Sequence, residues 1–229
     1  TFVMTGEGPR QVSDLIGRPT SLIADGQAHA VTAAGFFATG CKPVVRLTTR
    51  EGQRLRLTAD HKVLRAASLS RHEIAKQWIA AGELRAGDLI VLHDHRSLAG
   101  WEGMGSLGEG YLLGLLVGDG TLKEDKAILS VWKPRQAIND HGGSCGIGGI
   151  MAAAETFARE LPHRSDFKGW QAVSGRNEYR LSLAHIRHLA LDLGMTPGKK
   201  TITPTLEKTS SEFYRGFLGG LFDADGSVQ

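Results

Sequence analysis

The 229-residue chain is 41% hydrophobic and 22% charged, enough apolar residue to bury a core, and nothing in the composition points to global disorder. A formal net charge of +3 and a pI near 8.9 are compatible with a nucleic-acid partner without requiring one. Cys41 and Cys145 lie far apart with no metal-ligand spacing, and the longest apolar runs, such as Leu112 to Val117, are too short for a bilayer; a reduced, cytoplasmic protein is the expectation.

In chain order, Thr1-Phe2-Val3-Met4-Thr5 reads as an interior strand, and since no Met opens the chain, its start is expected to be a cut end. His29 to Phe37 is a strand candidate. Val44 to Thr49 and Arg54 to Thr58 alternate apolar and polar side chains around Gly52, which predicts a hairpin. Ile74 and Trp78, four residues apart, predict a short helix over 71–81, and Asp88 to Leu92 a further strand. A glycine-punctuated stretch over 97–108 reads as a linker, so the expected division is 1–95, a linker 96–108, and 109–229. Beyond it the texture is mixed: a helix 111–117, a strand 127–132, a glycine-rich loop 141–149, and a helix 150–161. Strands 167–173 and 178–183, a helix 184–193 and a last helix 211–224 complete the series. The glycine-rich loop lacks the Gly-Lys-Ser/Thr ending of a phosphate-binding loop and reads as a connection. His185 and His188, three apart on a helix, read as a polar face, and no histidine pair has zincin spacing.

One segment occurs twice. Leu112-Leu113-Gly114-Leu115-Leu116-Val117-Gly118-Asp119-Gly120 and Leu218-Gly219-Gly220-Leu221-Phe222-Asp223-Ala224-Asp225-Gly226 align without a gap. Gly114 and Gly118 share one helical face, as do Gly216, Gly220 and Ala224, so two backbones can approach closely. Helices packed through these faces would bring Asp119 and Asp225 side by side, where they repel unless a divalent cation lies between them. Mg2+ suits such oxygen ligands, and the chemistry implied is metal-assisted phosphodiester hydrolysis.

The paired motifs resemble the signature of LAGLIDADG homing endonucleases. That resemblance implies αββαββα halves packed through the motif helices, with a β saddle straddling double-stranded DNA. It makes Asp119 and Asp225 the metal-binding and catalytic residues. Asp223 holds the earlier acidic place of the second motif, where the first has Val117, so no role is carried over to it. Gly198-Lys199-Lys200-Thr201-Ile202-Thr203-Pro204 resembles the lysine-containing block before the second motif in intein endonucleases, which implies a catalytic Lys200, with Lys199 the alternative. Lys133, Arg135, Lys168, Arg176 and Arg180 lie in or beside the expected saddle strands and are candidate DNA contacts. Trp170 and Tyr179 read as packing residues.

In the first part, Thr58-Ala59-Asp60-His61 ends a strand with a hydroxyl and an imidazole three residues apart. Both can serve one peptide bond in an acyl shift, the imidazole as general acid. The stretch resembles the Thr-x-x-His block of Hint domains, and Glu83-Leu84-Arg85-Ala86-Gly87-Asp88 resembles a turn recurring in that fold. The two resemblances together cover nearly the whole chain in the order of an intein. The implied fold is two-part: an all-β, horseshoe-like Hint portion, then an α+β LAGLIDADG endonuclease whose second half is incomplete. The first sixty residues also resemble inteins of adenosylcobalamin-dependent ribonucleotide reductases. The implied partners are double-stranded DNA and host flanks in cis, with no membrane and a monomeric state.

The departures are specific. Thr1 is not the Cys or Ser that opens an intein, Cys41 is mid-chain, and no terminal His-Asn pair is present. As given, the chain is expected neither to splice nor to cleave DNA efficiently. Three alternatives stand beside the intein: a non-catalytic LAGLIDADG DNA-binding protein, a free-standing LAGLIDADG endonuclease, and a non-splicing Hint protein. Retention of both motif-ending aspartates favours a nuclease over the first; Thr58, His61 and the Glu83 to Asp88 segment count against the second; the embedded endonuclease counts against the third.

Overall fold

A computed structural model describes residues 1–92, 100–132 and 146–225, and its contacts divide the chain into two units, Thr1–Ala99 and Gly100–Gln229. The first is built from antiparallel strands. β1 (Phe2–Thr5), β2 (Gly8–Gln11), β3 (Thr20–Ala24) and β4 (Gln27–Val31) form a sheet in the order β2-β1-β3-β4. Asp25 and Gly26 both have positive φ, the conformation that a two-residue hairpin connection requires, and they join β3 to β4. The strand expected over 29–37 is therefore shorter and begins earlier. β5 (Val45–Thr48) and β6 (Arg54–Leu57) make the expected hairpin, turning at Gly52 with φ +94°.

β7 (Lys62–Leu69) and β8 (Ile74–Ala80) pair antiparallel, which corrects the helix expected over 71–81. Residues four apart share a face in a strand as they do in a helix, so Ile74 and Trp78 could not separate the two. Ser70, whose hydroxyl accepts from Glu73 N at 2.9 Å, shapes the turn that starts β8. Residues 89–91 lie along β7: Ala66 N donates to Leu89 O and Val91 N to Leu64 O.

In the second unit, α1 (Leu107–Val117) opens with a capping box, in which Ser106 Oγ accepts from Glu109 N and the Glu109 carboxylate accepts from Ser106 N. The order continues β9 (Thr121–Leu122), β10 (Ala127–Trp132), α2 (Ile147–Glu160), β11 (Gln171–Ala172), β12 (Glu178–Ser182), α3 (Ala184–Asp192) and α4 (Ser211–Asp225). From α1 to α3 this is helix, two strands, helix, two strands, helix. The four strands form one antiparallel sheet in the order β11-β12-β10-β9. The strand expected over 167–173 is confined to Gln171 and Ala172. Gly169, buried against the Glu155 carboxylate with φ +67°, diverts the chain before it.

The core gathers Leu112, Leu113 and Leu116 of α1, Leu129 of β10, Leu181 of β12, Ile186 and Ala190 of α3, and Phe213 and Phe217 of α4. α1 is apolar on all sides because it is enclosed on all sides. Residues 100–106 of the expected linker are tied to this unit: Trp101 Nε1 donates to Thr209 O at 2.9 Å, and Ser210 N donates to Met104 O. No helix among the described residues is long and apolar enough to cross a membrane.

Candidate active site

α1 and α4 run in the same direction and meet backbone to backbone. A Cβ at Gly110 or Gly114 would lie closer than 3.0 Å to the carbonyl oxygen of Phe213 or Phe217. One at Gly216 or Gly220 would collide in the same way with Leu107 O or Tyr111 O. Gly118 faces Ala224. The repeated small residues are thus the seam itself, and no larger side chain fits there.

The seam ends at acidic residues. Asp119 follows the last turn of α1, and Asp225 ends the described part of α4. Both are exposed, and they are near enough that Asp225 repels the Asp119 carboxylate. Partial burial first, and then this repulsion, lift the Asp119 carboxyl above its ordinary value, with Lys200 opposing. Asp223 points elsewhere in the seam: its carboxylate accepts from Tyr111 Oη at 2.6 Å, and burial together with that bond raises the phenol.

Lys200 caps α1. Its ammonium donates to Leu116 O at 2.9 Å, to Gly118 O at 3.2 Å and to Gly120 O, the negative end of the helix. Two of these carbonyls flank Asp119, so Lys200 secures the turn that carries the carboxylate. Burial draws its pKa down, while Asp119 and Asp225 hold it up. Lys199 is exposed, and its backbone pairs with that of Thr196.

Beside Asp119 lies the outer face of the sheet. Alternation puts Leu129 and Leu181 into the core and leaves Ile128, Ser130, Trp132, Glu178 and Arg180 on the other side. These five, with Asp119, Thr121, Lys123 and Arg176, line a shallow hollow of about 200 Å³. A second hollow of about 540 Å³ shares Ile128 and Arg180 with the first and adds Lys126, His163, Arg164 and Lys168. Of the expected DNA contacts, Lys168, Arg176 and Arg180 fall on this surface, whereas Lys133 and Arg135 lie outside the described residues. Lys126, Arg164 and Glu178 escaped sequence reasoning; strand alternation with Arg180 was the signal available for Glu178. Trp170 packs on α2, where its Nε1 donates to Met151 O at 2.9 Å.

In the first unit Thr58 and His61 flank the tight turn between β6 and β7, with His61 N donating to Thr58 O at 3.1 Å. The Thr58 hydroxyl bonds the Asp60 carboxylate and lowers its pKa. Ala81 N and Gly82 N donate to His61 O and Ala59 O, each at 2.8 Å, so the segment before Glu83 braces the turn. His61 is exposed.

A cation site needs ligands of the right kind. Among the described residues no three His, Cys, Asp or Glu side chains converge, and with the Leu116, Gly118 and Gly120 carbonyls accepting from Lys200 the seam offers two carboxylates. Such a set suits Mg2+, which binds few carboxylates and retains waters, rather than a metal that needs thiolates or imidazoles.

No protein-family model matches the chain. A similarity exists to the replicative DNA helicase DnaB of Rhodothermus marinus, 38% identical over 84 residues. The match takes in 37% of this chain but only 8% of that curated relative, so the chain is similar to a small part of it.

Proposed function

We propose that this chain is a segment of an intein in which a LAGLIDADG endonuclease is carried within a self-splicing Hint domain. The observation that carries the reading is the α1–α4 seam: two copies of one motif, packed through their small residues, with Asp119 and Asp225 at its end. The helix–strand–strand–helix–strand–strand–helix order and the polar sheet face beside Asp119 support it. Double-stranded DNA lies on that face, contacted by Lys168, Arg176 and Arg180, with Asp119 and Asp225 at the scissile phosphates. These two carboxylates would hold Mg2+, which supplies charge neutralisation at the phosphate and activates water. Lys200 keeps the Asp119 turn in place and lies close enough to add positive charge there.

Splicing belongs to the first unit, where His61 protonates the leaving amide nitrogen and Thr58 orients the upstream peptide bond. The host implied by the first sixty residues, an adenosylcobalamin-dependent ribonucleotide reductase, stands as part of this proposal beside the partial similarity to a helicase. The test uses the full-length gene product. Asp119→Asn and Asp225→Asn should each abolish DNA cleavage and leave splicing intact. His61→Ala should slow splicing by about a hundredfold and spare cleavage. Loss of splicing in a folded Asp119→Asn protein would refute the division.

A further inference from the structure

Glu178 is the least expected residue on the sheet face. It stands on an outward register position of β12, opposite Trp132, yet its side chain is only 3% exposed. Its Oε1 accepts from Arg180 Nε at 2.6 Å and from the Ser130 hydroxyl at 3.2 Å, and its Oε2 lies 3.6 Å from Arg176. Arg180 holds the carboxyl below its usual range, so it is charged at neutral pH. A buried carboxylate at the centre of a surface meant for a polyanion opposes general attraction, so its use must lie in geometry.

That geometry is visible at Arg180. Glu178 occupies the Nε, and the two terminal nitrogens have no partner among the described residues, while the side chain is 42% exposed. A guanidinium pinned at Nε has lost most of its rotational freedom, and its Nη1/Nη2 edge is left available. Two parallel donors in one plane match the O6 and N7 acceptors of guanine, the commonest specific arginine contact in a major groove. Arg180 also lies in both hollows of the face, so a duplex placed along either meets it.

Resting on the endonuclease reading, we propose that Glu178 is a positioning residue that pins Arg180 to read a guanine, making the pair a specificity determinant. The alternative use of Arg180, a contact to a phosphate, would add affinity without sequence preference.

The experiment is selection from a randomised duplex library at low ionic strength, with the full-length gene product folded as judged by circular dichroism. The wild type should enrich guanine at one position, by about tenfold or more over other bases. Arg180→Gln removes the fork and matches adenine rather than guanine, and should lose that guanine preference. Glu178→Gln removes a negative charge and offers Arg180 a weaker acceptor. It should therefore bind random duplex more tightly than wild type and discriminate less at that same position, a combination that mere loss of folding cannot give. Undiminished guanine preference in Glu178→Gln overturns the proposal. So does retained guanine preference in Arg180→Gln, which carries the test if the Glu178 variant fails to fold. A wild type that binds without guanine preference, with the salt dependence reduced by one contact in Arg180→Ala, makes Arg180 a phosphate contact and also overturns it. Absence of any duplex binding by the wild type sinks the endonuclease reading and this proposal together.

Discussion

The two units use their apolar residues in opposite ways. Among the described residues, nineteen of the twenty-three buried hydrophobic ones belong to the second unit and form a single cluster; the first contributes Leu15, Leu57, Ile79 and Ala81. Of the described large hydrophobics that remain exposed, eleven of sixteen lie in the first, among them Phe37, Leu69 and Trp78. Its hairpins also leave open a hollow of about 890 Å³ lined by Val45, Leu47, Leu84, Leu89, Ile90 and Leu92. Helices enclose apolar surface by wrapping a shared axis, whereas separate hairpins each offer one face and need another layer to cover it. The second unit thus holds itself together through burial, and the first relies mainly on backbone ladders and turns.

Hydrogen exchange on the intact chain sets the widest contrast. Amides of Leu112 to Leu116 should exchange only on global opening of their unit, while those of β4, β5 and β6 should open locally at a free energy lower by about 5 kcal/mol. Equal protection in the two units would remove the distinction. A sharper test lies within one helix, at neighbouring glycines. Gly220→Ala should destabilise the second unit by about 3 kcal/mol, because the new methyl meets the Tyr111 carbonyl. Gly219→Ala, whose methyl would make ordinary contact with the Tyr111 ring, should be neutral or stabilising by up to about 1 kcal/mol. Denaturant midpoints at constant m would show it.

The smallest expected effect concerns the acidic end of the seam. Because the Asp119 carboxyl is raised on folding, the folded chain binds more protons than the unfolded one just above the ordinary aspartate range. Its penalty therefore grows as pH climbs through that window and is complete at neutral pH. Asp119→Asn should melt slightly higher than wild type at pH 7, and the gain should vanish below about pH 4. Mg2+ should raise the melting temperature of the wild type and leave the variant unchanged. A variant that is less stable at pH 7 would mean that Asp119 makes a stabilising contact.

What could be read beforehand follows the range of the interactions. α1 and α4 were legible because a repeated spacing of small residues is a local pattern with one packing solution. The β5–β6 hairpin was legible because alternation and Gly52 lie within a few residues of each other. β8 was misread because the Ile74–Trp78 spacing fits two periods, and pairing with β7 decided between them. Lys200 was picked out by its motif, but its grip on Leu116, Gly118 and Gly120 spans some eighty residues and belongs to tertiary structure. Glu178 looked like an ordinary surface carboxylate until Ser130 and Arg180 were placed around it.

The glycine seam has a metrological consequence. Where side chains separate two helices, the interval between their ends varies with rotamer, temperature and every methyl gained or lost. Here peptide planes touch at Gly110, Gly114, Gly216 and Gly220, so the spacing of the two helix backbones is fixed by covalent dimensions and van der Waals radii. The helix pair is a ruler for its own backbones, so mutations elsewhere in the core can soften the unit without altering that interval, and Lys200 sets the last step from the ruler's end to Asp119.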